Sequence, residues 1–248
     1  MTSILITGAS SGLGAEMARQ FAARGYDLAL CARRLENLES LKAEIRAAHP
    51  DRVVRCRVLD VTDNDQVFEV FNAFREDFGG LDRIIVNAGL GKGQRLGTGR
   101  FDANRETAMT NFVGALAQIE AAMAIFRDQG TGHLVVVSSL SAVRGMPKNL
   151  TTYAATKIAV ARLAEGLRIE LLGSDIDITV LYPGYIASEM NDQVPQKVPM
   201  MASTEAGVKE MVAAIERRRR SAIVPRLPWV PLSYVMRFSP ARVFRRLV

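Results

Sequence analysis

The chain has 248 residues, 48% apolar and 23% charged, the size and balance of one globular domain with a substantial core. Two distant cysteines, Cys31 and Cys56, read as buried reduced thiols, and His49 and His133 are too few and too far apart for a metal cluster. No uninterrupted apolar run approaches the roughly 18 residues of a membrane span, and Met1-Thr2-Ser3 shows no basic leader, so a cytoplasmic protein is expected. The net charge is +6, yet residues 217–248 hold nine arginines (217, 218, 219, 220, 226, 237, 242, 245, 246) and no acid, which leaves the first 216 residues at −3.

Ile4-Leu5-Ile6-Thr7 is a short apolar strand that ends in Gly8-Ala9-Ser10-Ser11-Gly12-Leu13-Gly14. Met17, Ala18, Phe21 and Ala22 then recur at helical spacing as far as Gly25. Strand, glycine turn and helix in that order let a backbone approach a pyrophosphate, with free N–H groups at the helix start. Leu28–Ala32 is a second strand, followed at once by Arg33-Arg34. A dinucleotide-binding unit that takes NADH carries an acid near this point, whereas guanidinium groups grip a 2′-phosphate, so NADP(H) is favoured over NAD(H). A solvated basic pair is the plainer alternative.

Leu35–Ala48 reads as an amphipathic helix broken by His49-Pro50-Asp51, and Val53–Leu59 as a strand running into Asp60-Val61. Asp60 either accepts from an adenine amine or caps the helix that begins near Asp63; both readings stand. Val67, Val70, Phe71 and Phe74 give one helical face, closed by Gly79-Gly80. Arg83–Val86 is a strand ending in Asn87-Ala88-Gly89, small residues over which a cofactor can pass closely. After the glycine-rich loop Leu90–Gly99, residues 103–129 read as a long helix with Asn111 on its apolar face. That amide needs a buried partner, and is either a satisfied core group or a kink with a bound water.

Leu134–Val137 is an unbroken apolar run, as a central parallel strand requires, and leads into Ser138-Ser139. In Tyr153-Ala-Ala-Thr-Lys157 the four-residue spacing puts phenol and ammonium on one helix face. A cation beside a phenol lowers its pKa and makes a general acid/base for carbonyl–alcohol interconversion. The helix continues to Gly173, and Ile176–Leu181 is a strand ending in Tyr182-Pro183-Gly184. The unbroken β-α alternation implies a single-domain α/β fold, a doubly wound parallel sheet in three layers.

Thr7–Gly14, Asn87-Ala88-Gly89, Asn111, Ser139, Tyr153-x-x-x-Lys157 and Pro183-Gly184 together resemble the short-chain dehydrogenase/reductase family, in its shorter, non-extended branch. The resemblance implies a Rossmann-type catalytic and dinucleotide-binding domain over residues 1–225, with 226–248 a basic amphipathic extension. By the same resemblance Tyr153 is the acid/base, Lys157 lowers its pKa and holds the nicotinamide ribose, Ser139 orients the carbonyl, and Asn111 anchors a relay water. Ser139 is chosen over Ser138 and Ser141 by alignment. The cofactor contacts implied are Gly8, Ser10, Ser11, Gly12, Leu13, Gly14, Arg33, Arg34, Asp60, Val61, Asn87, Ala88, Gly89, Pro183, Gly184, Ile186 and Ser188, besides Tyr153 and Lys157. A homo-dimer or homo-tetramer built on helices 103–129 and 151–173 is a further implication.

Between Ser188 and Ser203, the Met-, Val- and Pro-rich segment either covers a greasy substrate or packs on its own core. Beyond a last strand, Ala222–Val224, two short helices (Leu232–Phe238 and Ala241–Val248) mix arginine with Trp229, Tyr234, Phe238 and Phe244. Such stretches suit an anionic membrane surface at the inner face better than nucleic acid, for which no binding module is visible; packing on the body or on another subunit is the alternative. The function expected is NADPH-dependent reduction of a hydrophobic ketone or aldehyde. A membrane-associated reductase of a lipid ketone (3-ketosphinganine-like or acyl) and a non-catalytic NADP(H)-binding regulator are the rival readings.

Overall fold

The computed structural model describes residues 2–187 and 201–247. The apolar runs become seven strands: β1 (Ser3–Thr7), β2 (Asp27–Ala32), β3 (Val54–Val58), β4 (Arg83–Val86), β5 (Thr131–Val137), β6 (Asp175–Pro183) and β7 (Ser221–Val224). All pair in parallel, in the order β3-β2-β1-β4-β5-β6-β7. The helices are α1 (Gly12–Ala22), α2 (Leu35–Ala48), α3 (Asn64–Phe78), α4 (Phe101–Ala108), α5 (Gly114–Gln129), α6 (Thr151–Glu170), α7 (Thr204–Glu216), α8 (Trp229–Phe238) and α9 (Ala241–Leu247).

Successive strand residues point to opposite faces, so a strand covered on both sides must be apolar at every position. Leu5, Ile84, Leu134 and Val136 enter one core with α3, α5 and α6, whereas Ile4, Ile6, Ile85, Val135 and Val137 enter the other with α1, α2 and α7. The doubly wound, three-layer sheet expected from the sequence is the fold observed. Its crossover lies between β1 and β4, where the ligand crevice of such sheets opens.

Two expectations are corrected. The long helix over 103–129 is two helices joined by a π turn, Met109–Val113, with Asn111 at its centre. Both ends of the Asn111 amide are satisfied by one residue, for Oδ1 accepts from Leu90 N at 2.7 Å and Nδ2 donates to Leu90 O at 2.8 Å. Over this whole stretch the most apolar window reaches a mean hydropathy of 1.3, enough by length and composition for a membrane span, but 61% of it is buried inside the protein. The second correction concerns Asp60. Asp63 caps α3, accepting from Gln66 N at 3.1 Å, while Asp60 closes an Asx turn by accepting from Thr62 N and Thr62 Oγ1.

At the opposite edge of the sheet, Arg83 Nε donates to His133 Nδ1 at 3.0 Å, and Arg83 Nη1 pairs with Glu216 at 2.7 Å. Arginine can only donate, so His133 carries its proton on Nε2, toward Thr179 Oγ1 at 2.9 Å.

Candidate active site

The end of β1 is fastened to the end of β4 by Thr7. Its hydroxyl donates to Ile85 O and accepts from Asn87 N at 3.0 Å and Ala88 N at 3.1 Å. Asn87 Nδ2 returns a hydrogen bond to Thr7 O at 2.9 Å. The glycine turn then passes so close that a Cβ on Gly8 would lie 2.9 Å from Ala88 Cα, and one on Gly14 would lie 2.3 Å from Gly8 O. Gly8 also sits at φ +65°, open to glycine and strained for other residues. Ser11, the N-cap of α1, does not cap the helix with its side chain, and no acid occupies the first turn. This cradle fits the diphosphate of a dinucleotide: small, backbone-lined, and at the positive end of a helix dipole.

Arg34 spans the cradle, its Nη2 donating to Ser11 Oγ at 2.6 Å and its Nε and Nη2 to Ser10 Oγ. Arg33 is exposed beside Asp60. Burial raises the Asp60 pKa, but hydrogen bonds from Thr62 and the Arg33 charge outweigh it and hold the carboxyl below its ordinary value. The two arginines thus differ: one clasps the serines of the turn, the other faces a carboxylate.

Residues from β5 and α6 assemble the rest. Ser138 is buried and spends its hydroxyl on Lys157 O at 2.7 Å, tying α6 to the strand end. Ser139 accepts from Ser141 N at 3.1 Å and Ser141 Oγ at 3.0 Å, and it hydrogen bonds with the Tyr153 hydroxyl. Of the three serines, Ser139 is therefore the one brought to the phenol. Lys157 is buried, donates from Nζ to Val137 O at 3.0 Å, and lies 5.9 Å from the Tyr153 ring centroid. A Cβ on Gly89 would come within 3.3 Å of Lys157 Nζ and 3.5 Å of Asn111 Oδ1, so these three positions converge.

Burial pushes the Tyr153 phenol above its ordinary value; the Ser139 hydrogen bond opposes this and Tyr185 adds to it. This direction is opposite to the lowering expected from Lys157. Burial also lowers the Lys157 ammonium to about 8, with no carboxylate among the described residues to offset the lost hydration.

Among the remaining expected residues, Leu13 packs on the α1 side, and Ala88 and Val61 pack on the α3 side. Gly12 adopts φ +53°. Pro183 ends β6, Gly184 N donates to Val224 O at 2.8 Å, and Ile186 is buried in a bridge with Ala202. Ser188 and the apolar segment after it, as far as Met200, lie outside the described residues.

The contacts of several residues at this edge escaped the motif reading. Thr7 opened the Thr7–Gly14 motif, but nothing in the sequence showed its hydroxyl joining β1 to β4. Trp229, the chain's single tryptophan, reaches back from α8, and its ring occupies the space a Cβ on Gly184 would fill, 2.6 Å away. It packs with Leu140, Met146, Ala154, Met236 and Phe244, with Tyr185 tilted against it at 5.6 Å. Its buried Nε1 has no protein partner among the described residues. Arg144 secures the tail by donating to Met236 O and Ser239 O and by stacking 4.6 Å over Phe244. The sequence offered Trp229 and Phe244 to a membrane surface or, as the alternative, to packing on the body or another subunit; these two pack on the body.

The family model for short chain dehydrogenase matches residues 2–199. This chain belongs to that family. An uncharacterized oxidoreductase of Mycobacterium tuberculosis is 51% identical over 98% of this chain and 96% of its own. A short-chain dehydrogenase from Sphingobium yanoikuyae in complex with NADPH superposes at a TM-score of 0.83 with 27% identity, covering 95% of this chain and 93% of its own. A short chain dehydrogenase/reductase from Burkholderia phymatum in complex with NAD reaches 0.84 at 22% identity, covering 94% and 92%, and so speaks for the fold alone. The chain is thus an oxidoreductase of the short-chain dehydrogenase family, with a nicotinamide dinucleotide as its class of cofactor.

Proposed function

We propose that this short-chain dehydrogenase reduces a hydrophobic ketone or aldehyde with NADPH, and that Tyr153 is its acid. The observation that carries the reading is the convergence of Ser139, which acts on the Tyr153 phenol, with Lys157 5.9 Å from the Tyr153 ring and beside Gly89. The bound nicotinamide would supply hydride to the carbonyl carbon. Tyr153, kept neutral by burial, has a proton to give to the carbonyl oxygen at neutral pH. Ser139 accepts twice from Ser141, so its own hydrogen is left to steer either the phenol or the carbonyl. Lys157 uses one N–H on Val137 O and keeps two for ribose hydroxyls; still largely protonated at neutral pH, it stabilises the tyrosinate left behind. Asn111, held by Leu90 at both ends, retains one N–H and one lone pair for a water that returns the proton.

The NADPH preference is supported by Arg33 and Arg34 at the end of β2, where no acid stands. Leu140, Tyr185 and Trp229 beside Ser139 support an apolar substrate. Two free thiols, Cys31 and Cys56, suit the cytoplasm, and the exposed Ile169 in the last turn of α6 and Leu172 just beyond its end support a homo-oligomer. A non-catalytic regulator would have no use for Ser139, Tyr153 and Lys157 in this arrangement.

The test is NADPH and NADH binding followed by turnover on aldehydes and ketones of increasing chain length. NADPH binds more tightly, activity rises with chain length, and Tyr153→Phe lowers turnover about 10²- to 10⁴-fold with cofactor affinity nearly unchanged. Failure to bind either nucleotide, or an active Tyr153→Phe enzyme, defeats the proposal.

A further inference from the structure

Helix α8 is apolar on two opposite sides. Trp229, Leu232, Ser233 and Met236 face the body, with Trp229 and Met236 buried. Pro231, Tyr234, Val235 and Phe238, spaced i, i+3, i+4, i+7, form a second stripe that faces solvent. Tyr234 is 62% exposed and Phe238 72% exposed, and Leu227 and Val243 extend the same surface. A helix anchored by one stripe gains nothing for folding from a second, so the outer one calls for a partner.

The charge around it selects the partner. Arg226, Arg237, Arg242 and Arg245 are exposed about the stripe and form no ion pair among the described residues, while the nearest upstream arginine cluster contributes Arg218 to Asp177. No acid occurs anywhere from 217 to 248. A second copy docking by a two-fold axis would set arginine against arginine. Nucleic acid would satisfy the cations but offers no apolar phase to a line of Tyr, Val and Phe. An anionic lipid surface supplies both, with headgroups for the guanidiniums and an acyl boundary for the stripe.

We propose that the outer face of α8, with α9, docks this protein peripherally on anionic membranes. Because the inner face of the same helix packs on Leu140, next to Ser139 in the chain, and on Tyr185, docking sets this edge of the catalytic cleft against the lipid. The inference rests on the tail's own geometry and stands whether or not the carbonyl-reductase reading holds.

The full chain is sedimented with vesicles of phosphatidylcholine alone and of phosphatidylcholine mixed with phosphatidylglycerol, at low and high salt. Binding is expected only to the anionic vesicles, with reversal by salt. Arg242→Glu/Arg245→Glu weakens it about tenfold or more. Phe238→Asp abolishes it while circular dichroism and nucleotide binding stay at wild-type values, since the exposed Phe238 touches none of the catalytic residues. Absence of binding to anionic vesicles overturns the proposal. So does light scattering that shows an oligomer dissociated by Phe238→Asp, which would assign the face to a second copy.

Discussion

Gly14→Ala sets two known magnitudes against each other. In the first turn of α1, alanine improves helix propensity by at most about 1 kcal/mol over glycine. Its Cβ, however, would stand 2.3 Å from Gly8 O and 2.8 Å from Asn87 Nδ2, about 1 Å short of ordinary contact. The obstacle is backbone rather than a flexible side chain, and that backbone is held by Asn87, itself bound to Thr7 O. Overpacking of this kind costs about 3 kcal/mol at the upper end, which leaves a net loss of about 2 kcal/mol. With a urea m-value of about 2–3 kcal/mol/M, the unfolding midpoint should fall by about 0.7–1 M. Dinucleotide affinity should fall with it, because the displaced groups line the cradle. Gly166→Ala is the control of opposite sign: it is exposed, inside α6 toward its C-terminal end, with nothing within 4 Å of the added Cβ, so the midpoint should rise by about 0.3–0.5 M. A Gly14→Ala protein as stable as wild type, with unchanged nucleotide affinity, would refute the close-approach argument.

His133 gives the acid limb of stability. Burial above all, then the charges of Arg83 and Arg218, holds its pKa down at about 3, against about 6.5 when unfolded. Between those values the unfolded chain binds the extra proton, so stability is complete above about pH 6.5 and declines as the pH falls toward 3. Urea midpoints for wild type should drop over that range more steeply than those of His133→Gln; parallel curves would dissociate His133 from the effect. For the cofactor, Arg33→Asp and Arg34→Asp should each lower the NADPH-to-NADH affinity ratio about tenfold or more, measured by nicotinamide fluorescence. An unchanged ratio in both would remove the phosphate clamp.

The fold was readable because its signals are local and redundant. Unbroken apolar runs such as Leu134–Val137 can serve only a sheet covered on both faces, and Gly8–Gly14 punctuates a strand and a helix where a phosphate needs room. Spacing within one helix put Tyr153 and Lys157 on one face, whereas Ser139 and Asn111 were reached only through the family resemblance. What escaped depended on distant partners. A π turn at Met109–Val113 leaves no mark in the residues themselves, for the Asn111 amide finds Leu90 across a loop. Helix α8 begins at Trp229, ahead of the expected Leu232, because Pro231 falls in the first turn, where a missing N–H removes no helical bond. The direction of the Tyr153 shift was likewise beyond the four-residue spacing, since it is set first by burial among neighbours elsewhere in the chain.

The crossover in strand order divides the labour of the molecule. Strands β1 to β3 and their turns carry Gly8 to Gly14, Arg33, Arg34 and Asp60, the portion to which we assign the nucleotide's diphosphate and adenosine half. Strands β4 to β7 and the helices between them carry Asn111, Ser139, Tyr153 and Lys157, the portion to which we assign proton movement. The Thr7 hydroxyl, bonded to Ile85, Asn87 and Ala88 at once, is a polar joint between the two at the crossover. With its single hydrogen and both lone pairs committed, it has no capacity in reserve, so the recognition half cannot slide against the chemical half without stripping all three bonds together.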